Sequence, residues 1–166
     1  MTNLTTDVAI IMGSDSDLPI VEASFTILDS FGVNYTKNVM SAHRTPHEVM
    51  ELIKTSEKNG CKVFIAAAGM AAHLAGAVAA HSTRPVIGIP IESGGMGGMD
   101  SLLSTAMMPP GVPVATVAVG KAGAKNSAIL AVQILATSDD ALAAKLSEYK
   151  SNMRDEVLKK DQALNS

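Results

Sequence analysis

Cysteine occurs once in these 166 residues, at Cys61, and tryptophan is absent. A lone thiol excludes an internal disulfide and any cysteine-based metal cluster. Aromatic residues make up 3% of the chain, too few for the stacking platforms that bind single-stranded nucleic acid. Charge is scarce as well, at 17% of residues, and a net charge of −3 offers no basic face to a polyanion. No apolar run reaches membrane-spanning length without glycine, proline or charge breaking it. The opening stretch, Met1 to Asp7, is polar and lacks the basic-then-apolar layout of a secretory leader. The cytoplasm is therefore the expected compartment, with neither nucleic acid nor membrane as a partner.

What is plentiful is apolar. Hydrophobic residues make up 47% of the chain, enough for one domain over 1–166 with an ample core. Four runs, Val8 to Met12, Val63 to Ala68, Val86 to Ile91 and Val114 to Val119, show no polar–apolar alternation. Strands of that kind are covered on both faces, as in parallel sheets. A half-polar run, Asn34 to Met40, reads as a strand nearer an edge. Helical stretches lie between them: Leu18 to Phe31, Pro46 to Asn59, Ala71 to Ser82, Asp100 to Ala106 and Ala124 to Ala136. Such alternation predicts a doubly wound α/β sheet over about 8–136. The ten methionines and many alanines read as packing residues, in the core or between subunits.

Boundary chemistry agrees with this division. Thr45-Pro46-His47-Glu48 has the form of an N-cap, a first-turn proline and a capping-box glutamate. Gly32 and Gly60 suit left-handed helix ends. From Asp139 to about Lys160, Leu142, Leu146, Tyr149, Met153 and Val157 form one apolar stripe at helical spacing. A helix of about 20 residues spans about 30 Å, more than a small sheet needs. It is expected to pack partly on another subunit.

In an open α/β sheet the carboxyl ends of the strands share one crevice, where ligands bind. Two segments carry chemistry to that edge. Ser41-Ala42-His43-Arg44 follows the second strand: His43 offers proton transfer near neutral pH, or simply caps a strand end, and Arg44 offers a fork for phosphate. Gly13-Ser14-Asp15-Ser16-Asp17 follows the first strand, with hydroxyls and carboxylates before a helix N-terminus. It is neither a P-loop nor a dinucleotide fingerprint. Asp17 is placed either to cap the helix or to grip a ribose diol. A third segment, Ala68-Gly69-Met70-Ala71-Ala72-His73-Leu74, presents backbone amides and His73, the latter facing the crevice or packed in a first turn. His47 and His81 read as structural or surface residues. Four glycines between Glu92 and Asp100 permit the movement a lid requires. The set suits a small phosphorylated substrate undergoing acid–base chemistry.

Met-Gly-Ser-x-Ser-Asp at 12–17, Ser-Ala-His-Arg-Thr-Pro at 41–46 and Ala-Ala-His-Leu at 71–74 resemble the signatures of the N5-carboxyaminoimidazole ribonucleotide mutase family. So do Asp100-Ser101-Leu102-Leu103-Ser104, Met108-Pro109 and Gly123-Ala124-Lys125-Asn126. The resemblance runs from about Val8 to Leu135. It implies a three-layer, flavodoxin-like or Rossmann-like fold assembled as a homo-octamer, without metal or organic cofactor. It implies a purine-pathway reaction in which a carboxylate moves from the exocyclic nitrogen of an aminoimidazole ribonucleotide to ring carbon 4. His43 matches the general acid–base. Ser14, Asp17 and Arg44 match substrate-binding positions, with Ser41, Gly13, Ser16, Gly69, Ala71, His73 and Leu74 lining the site. The upstream carbamate-forming synthetase is an implied transient partner. Two departures stand out: family members often have Gly where Met70 stands and Pro where Ala75 stands. A related branch carboxylates aminoimidazole ribonucleotide directly with CO2 and tends to carry Lys after Ser-Ala-His, so Arg44 favours the mutase. A receiver-like signalling domain would need an aspartate where Ala66-Ala67-Ala68-Gly69 stands. A flavin-binding electron carrier fits poorly with so few aromatics.

Overall fold

Alternate residues of the apolar runs go to opposite faces of one sheet. In the computed structural model, which describes residues 6–165, five parallel strands lie in the order β2-β1-β3-β4-β5. They are β1 (Val8–Met12), β2 (Tyr35–Val39), β3 (Val63–Gly69), β4 (Val86–Ile91) and β5 (Ala115–Thr116). The helices are α1 (Leu18–Phe31), α2 (Pro46–Lys58), α3 (Leu74–His81), α4 (Met99–Ala106), α5 (Lys121–Ala136) and α6 (Asp140–Leu164). Val8, Ile10, Met12, Ile65 and Ala67 pack beneath α1 and α5. Ala9, Ile11, Phe64 and Ala66 pack beneath α2 and α3. Burying each such large side chain contributes about 1.5–3 kcal/mol, which is why both sets must be apolar.

The helices close on the sheet through small residues. Ala124, Ala128 and Ala131 of α5 are fully buried, and the Ser24 hydroxyl of α1 donates to the Ala124 carbonyl at 2.7 Å. At Gly32 the α1 C-cap takes φ 72°, a conformation that glycine adopts without steric cost. Gly88 of β4 has no room for a side chain, because an added Cβ would press on Thr105 of α4, Val114 and Ala75.

Three expectations need correction. The predicted strand Val114 to Val119 pairs regularly only over Ala115–Thr116. Two further bonds follow, Val117 N–H to the Gly88 carbonyl at 3.1 Å and Gly120 N–H to the Pro90 carbonyl at 2.9 Å. Three residues on one side thus span two on the other, a bulge, and Pro90 has no N–H to give to the neighbouring strand. The methionines do not all pack within the protomer: Met12 is buried, while Met70, Met96, Met99, Met107 and Met153 are exposed, so the core part of the packing reading fails for half of them. Helix α3 starts at Leu74 rather than Ala71, since the intervening residues form turns.

Helix α6 begins on an Asp139 cap, whose carboxylate accepts the Ala141 and Leu142 amides at 3.0 Å. Its first half docks on the parent fold. Leu146 is buried, Tyr149 meets the Phe31 ring at 5.6 Å, and Lys145 Nζ donates to the Phe31 carbonyl at 2.8 Å. From Lys150 to residue 165 every residue is exposed, Met153, Val157 and Leu158 among them.

Gly88→Ala is expected to cost about 1–3 kcal/mol through overpacking, read as a lower urea midpoint. An unchanged midpoint would show that α4 yields freely.

Candidate active site

Three loops meet where β1, β2 and β3 end, and each is bent by its own polar residues. After β1, the Ser14 hydroxyl accepts the Ser16 amide at 3.3 Å, while the Ser14 amide donates to Asp17 Oδ2 at 3.2 Å. This reciprocal pair caps a single 3-10 turn, Asp15–Asp17. Asp17 therefore reaches back into its loop, and its side chain does not cap α1. It is only 6% exposed.

After β2, Thr45 Oγ1 donates to the Ser41 carbonyl at 3.0 Å and accepts the Ser41 amide at 2.9 Å. That exchange takes Thr45 away from the expected capping of α2. The Ser41 hydroxyl in turn accepts the amides of His43 and Arg44 at 3.3 and 3.2 Å. The turn that mounts both side chains is thus internally bonded. Among the described residues Arg44 enters no ion pair; its Nη2 donates to the Gly13 carbonyl at 3.2 Å, joining the second loop to the first.

After β3, the chain turns sharply. The Ala72 amide donates to the Met70 carbonyl at 2.9 Å and the His73 amide to the Ala71 carbonyl at 2.8 Å. Met70 has φ 55°, and among the described residues no other non-glycine residue has a positive φ. A left-handed conformation costs an L-residue with a Cβ about 1–2 kcal/mol, a cost that glycine would not incur. Ala75, the other departure, is buried against the α2–α3 core and does not line the cleft.

These turns bring the two histidines together. His43 Nε2 lies 2.8 Å from His73 Nδ1, and the rings meet edge to face. At that distance one nitrogen carries the proton and the other accepts it. Two residues read separately in the sequence form one unit.

The loops enclose a cleft of about 530 Å³ lined by Gly13, Ser14, Ser16, Asp17, Ser41, His43, Arg44, Gly69, Ala71, His73 and Leu74. Every residue expected at the site lies on its wall. Ala42, Ala68, Met70 and Ser93 line it too. Ser93 is the polar group that the sequence reading missed. Its signal is Gly69, where an added Cβ would collide with the Ser93 hydroxyl, so the loop after β4 must approach β3 closely. The rest of the glycine-rich segment stands clear of the cleft; added Cβ atoms at Gly94, Gly95 and Gly97 meet nothing within 4 Å. His47 and His81 are exposed and outside it. Among the described residues, no three His, Cys, Asp or Glu side chains are grouped to hold a metal.

Burial pushes the Asp17 carboxyl above its usual range, with Asp15 adding repulsion and the Ser14 amide opposing both. The folded state therefore holds this proton more tightly than the unfolded chain does. Stability from this group is greatest below its unfolded value and falls as pH rises through its folded value. Once ionised, the carboxylate carries the cost of its desolvation, placed where hydroxyl donors of a ligand would relieve it.

The family model for AIR carboxylase matches residues 7–156. The N5-carboxyaminoimidazole ribonucleotide mutase of Bacillus subtilis is 51% identical over 157 residues, covering 95% of this chain and 97% of that one. The corresponding mutase of Thermotoga maritima is 50% identical over 157 residues, covering 95% and 91%. Among solved structures, a variant of Treponema denticola PurE2 superposes with a TM-score of 0.89 at 28% identity, covering 98% of this chain and all of that one.

Asp17→Asn keeps an acceptor for the Ser14 amide and removes the buried charge. Its thermal midpoint is expected to exceed the parent's at pH 7, and the gap to close as pH falls through the acid range. A variant less stable than the parent at pH 7 would show that the carboxylate charge is not the costly element.

Proposed function

The chain belongs to the AIR carboxylase family, and from that premise we propose that it works as an N5-carboxyaminoimidazole ribonucleotide mutase of purine biosynthesis, with the cleft as its active site. The observation that carries this reading is the bonded His43–His73 pair beside Arg44, Ser14 and Asp17, in a chain half identical to named mutases. His43 is the catalytic acid–base. As imidazolium it gives a proton to the exocyclic nitrogen while the nitrogen–carbon bond breaks. The bonding pair stays on nitrogen and CO2 departs neutral. Ring carbon 4 then attacks CO2 with its enamine electrons, and neutral His43 removes the proton from the resulting tetrahedral carbon. One proton leaves His43 and one returns, so the chemistry consumes no cofactor.

The other lining residues bind. Arg44 and the serines at 14, 16 and 41 meet the phosphate, with a charge-assisted fork at Arg44. Asp17 accepts from the ribose hydroxyls, which offsets the cost of its burial. Gly13, Gly69, Ala71 and Leu74 let the ligand approach backbone closely, and His73 holds the His43 ring. The glycine-rich segment after β4 acts as a lid that excludes water.

The chain functions as one α/β domain in the cytoplasm and assembles as an octamer. Two exposed apolar faces support assembly: Met99 and Leu103 of α4 with Met107 just after its end, and the distal half of α6. A transient contact with the synthetase that forms the labile carbamate completes the set of partners.

The deciding assay follows the ultraviolet absorbance of 4-carboxyaminoimidazole ribonucleotide. One reaction receives fresh carbamate substrate at low CO2, the other aminoimidazole ribonucleotide with bicarbonate. Preference for the carbamate is expected; the reverse would make this a direct carboxylase, and silence in both would remove the function altogether. His43→Asn is expected to lower turnover at least about 100-fold with little change in substrate affinity. Near-normal turnover would remove His43 from the acid–base role. Val157→Glu combined with Leu158→Glu should leave circular dichroism unchanged and reduce the mass seen by light scattering. An unchanged mass would take distal α6 out of the interface.

A further inference from the structure

Met70 combines three properties that do not ordinarily occur together. Its backbone is held at φ 55°. The residue is 62% exposed in the protomer, so packing within the chain does not offset that conformation. It nevertheless lies on the wall of the cleft. Strain that persists without a packing return is a signature of function.

The conformation itself is imposed by the surroundings. Before Met70, Gly69 ends β3 with Ser93 and the Ile91 carbonyl too close to admit a side chain. After it, successive short turns return the chain so that His73 meets His43. The position calls for a left-handed residue, and glycine would meet that call without cost. The side chain there is instead long, apolar and unbranched.

The chemistry of the cleft gives that side chain a use. Eight of the fifteen residues on the wall carry a hydroxyl, imidazole, carboxylate or guanidinium, groups that draw water in. A neutral one-carbon fragment has no charge to be held by and is retained only by obstruction. Ala42, Ala68, Ala71 and Leu74 supply apolar floor, and of these only Leu74 is large.

We propose that Met70 is an apolar cover at the mouth of the cleft, which retains released CO2 and excludes water during carboxyl transfer. The proposal rests on the mutase reading. A thioether chain with several rotatable bonds conforms to whatever lies beneath it, so the cover adapts to substrate and product alike. Met70 touches no proton in transit; its effect is on where the fragment goes.

The test supplies unlabelled carbamate substrate in buffer containing 13C-bicarbonate and carbonic anhydrase. Mass spectrometry reads the label in the product at early times, corrected for decay without enzyme. The parent is expected to form product with little label. Met70→Gly and Met70→Ala are expected to raise incorporation about threefold or more, while Met70→Leu, which keeps an apolar side chain, stays near the parent. The thermal midpoint of Met70→Gly is expected to hold or rise, because relief of strain offsets the added freedom of the unfolded chain. Incorporation by the Gly and Ala variants no higher than the parent's would overturn the cover. A lowered midpoint in Met70→Gly would also overturn it, by showing that Met70 is a packing residue. Absence of product from the parent overturns the mutase reading itself, and this proposal with it.

Discussion

At the carboxyl end of β1 the hydrogen-bond ladder runs past the last strand residue on both sides. The Met40 amide donates to the Met12 carbonyl at 2.8 Å, and the Gly13 amide to the Ala67 carbonyl at 2.9 Å. The three loops of the cleft therefore leave the sheet within a residue or two of a bonded peptide. Their first atoms are placed by the central ladder rather than by the loops themselves. Arg44 then closes the arrangement by donating to the Gly13 carbonyl. A polar site held this way needs few charges, which fits a chain in which charge is scarce.

Placement at the switch between β1 and β3, where chain connections depart in opposite directions, leaves a crevice that helices do not fill. The strands' register brings Gly13, Ser41 and Gly69 to that crevice together. The loop residues then divide the work. Bonds within each loop, that of the Asp17 carboxylate to the Ser14 amide among them, set its shape, and His43, Arg44, His73 and Asp17 line the cleft. Ser41 belongs to both groups, as a turn-forming hydroxyl and as part of the wall.

The parallel sheet was legible because a strand buried on both faces has no choice but to be apolar throughout. Helix ends at Gly32 and Gly60 were legible because left-handed geometry selects glycine. What was not legible depends on neighbours distant in sequence. The short β5 follows from Pro90 on the adjacent strand. Thr45 forgoes its cap because Ser41 offers it two bonds. Asp17 turns back because Ser14 presents an amide. The link between His43 and His73 spans thirty positions, and no local pattern encodes it. Site membership was readable from strand-end position; mutual geometry was not.

Both sheet edges discourage the addition of further strands. At β2, Lys37 extends its ammonium over the Phe25 ring at 4.4 Å, so a charge stands beside the open backbone groups of that edge. At β5, two paired residues and a bulge leave too short a template for cross-chain pairing. Runaway stacking of sheet on sheet edge, the common route to insoluble fibrils, is thus obstructed at either end. The helical surfaces, whose backbone groups are bonded internally, offer no such template.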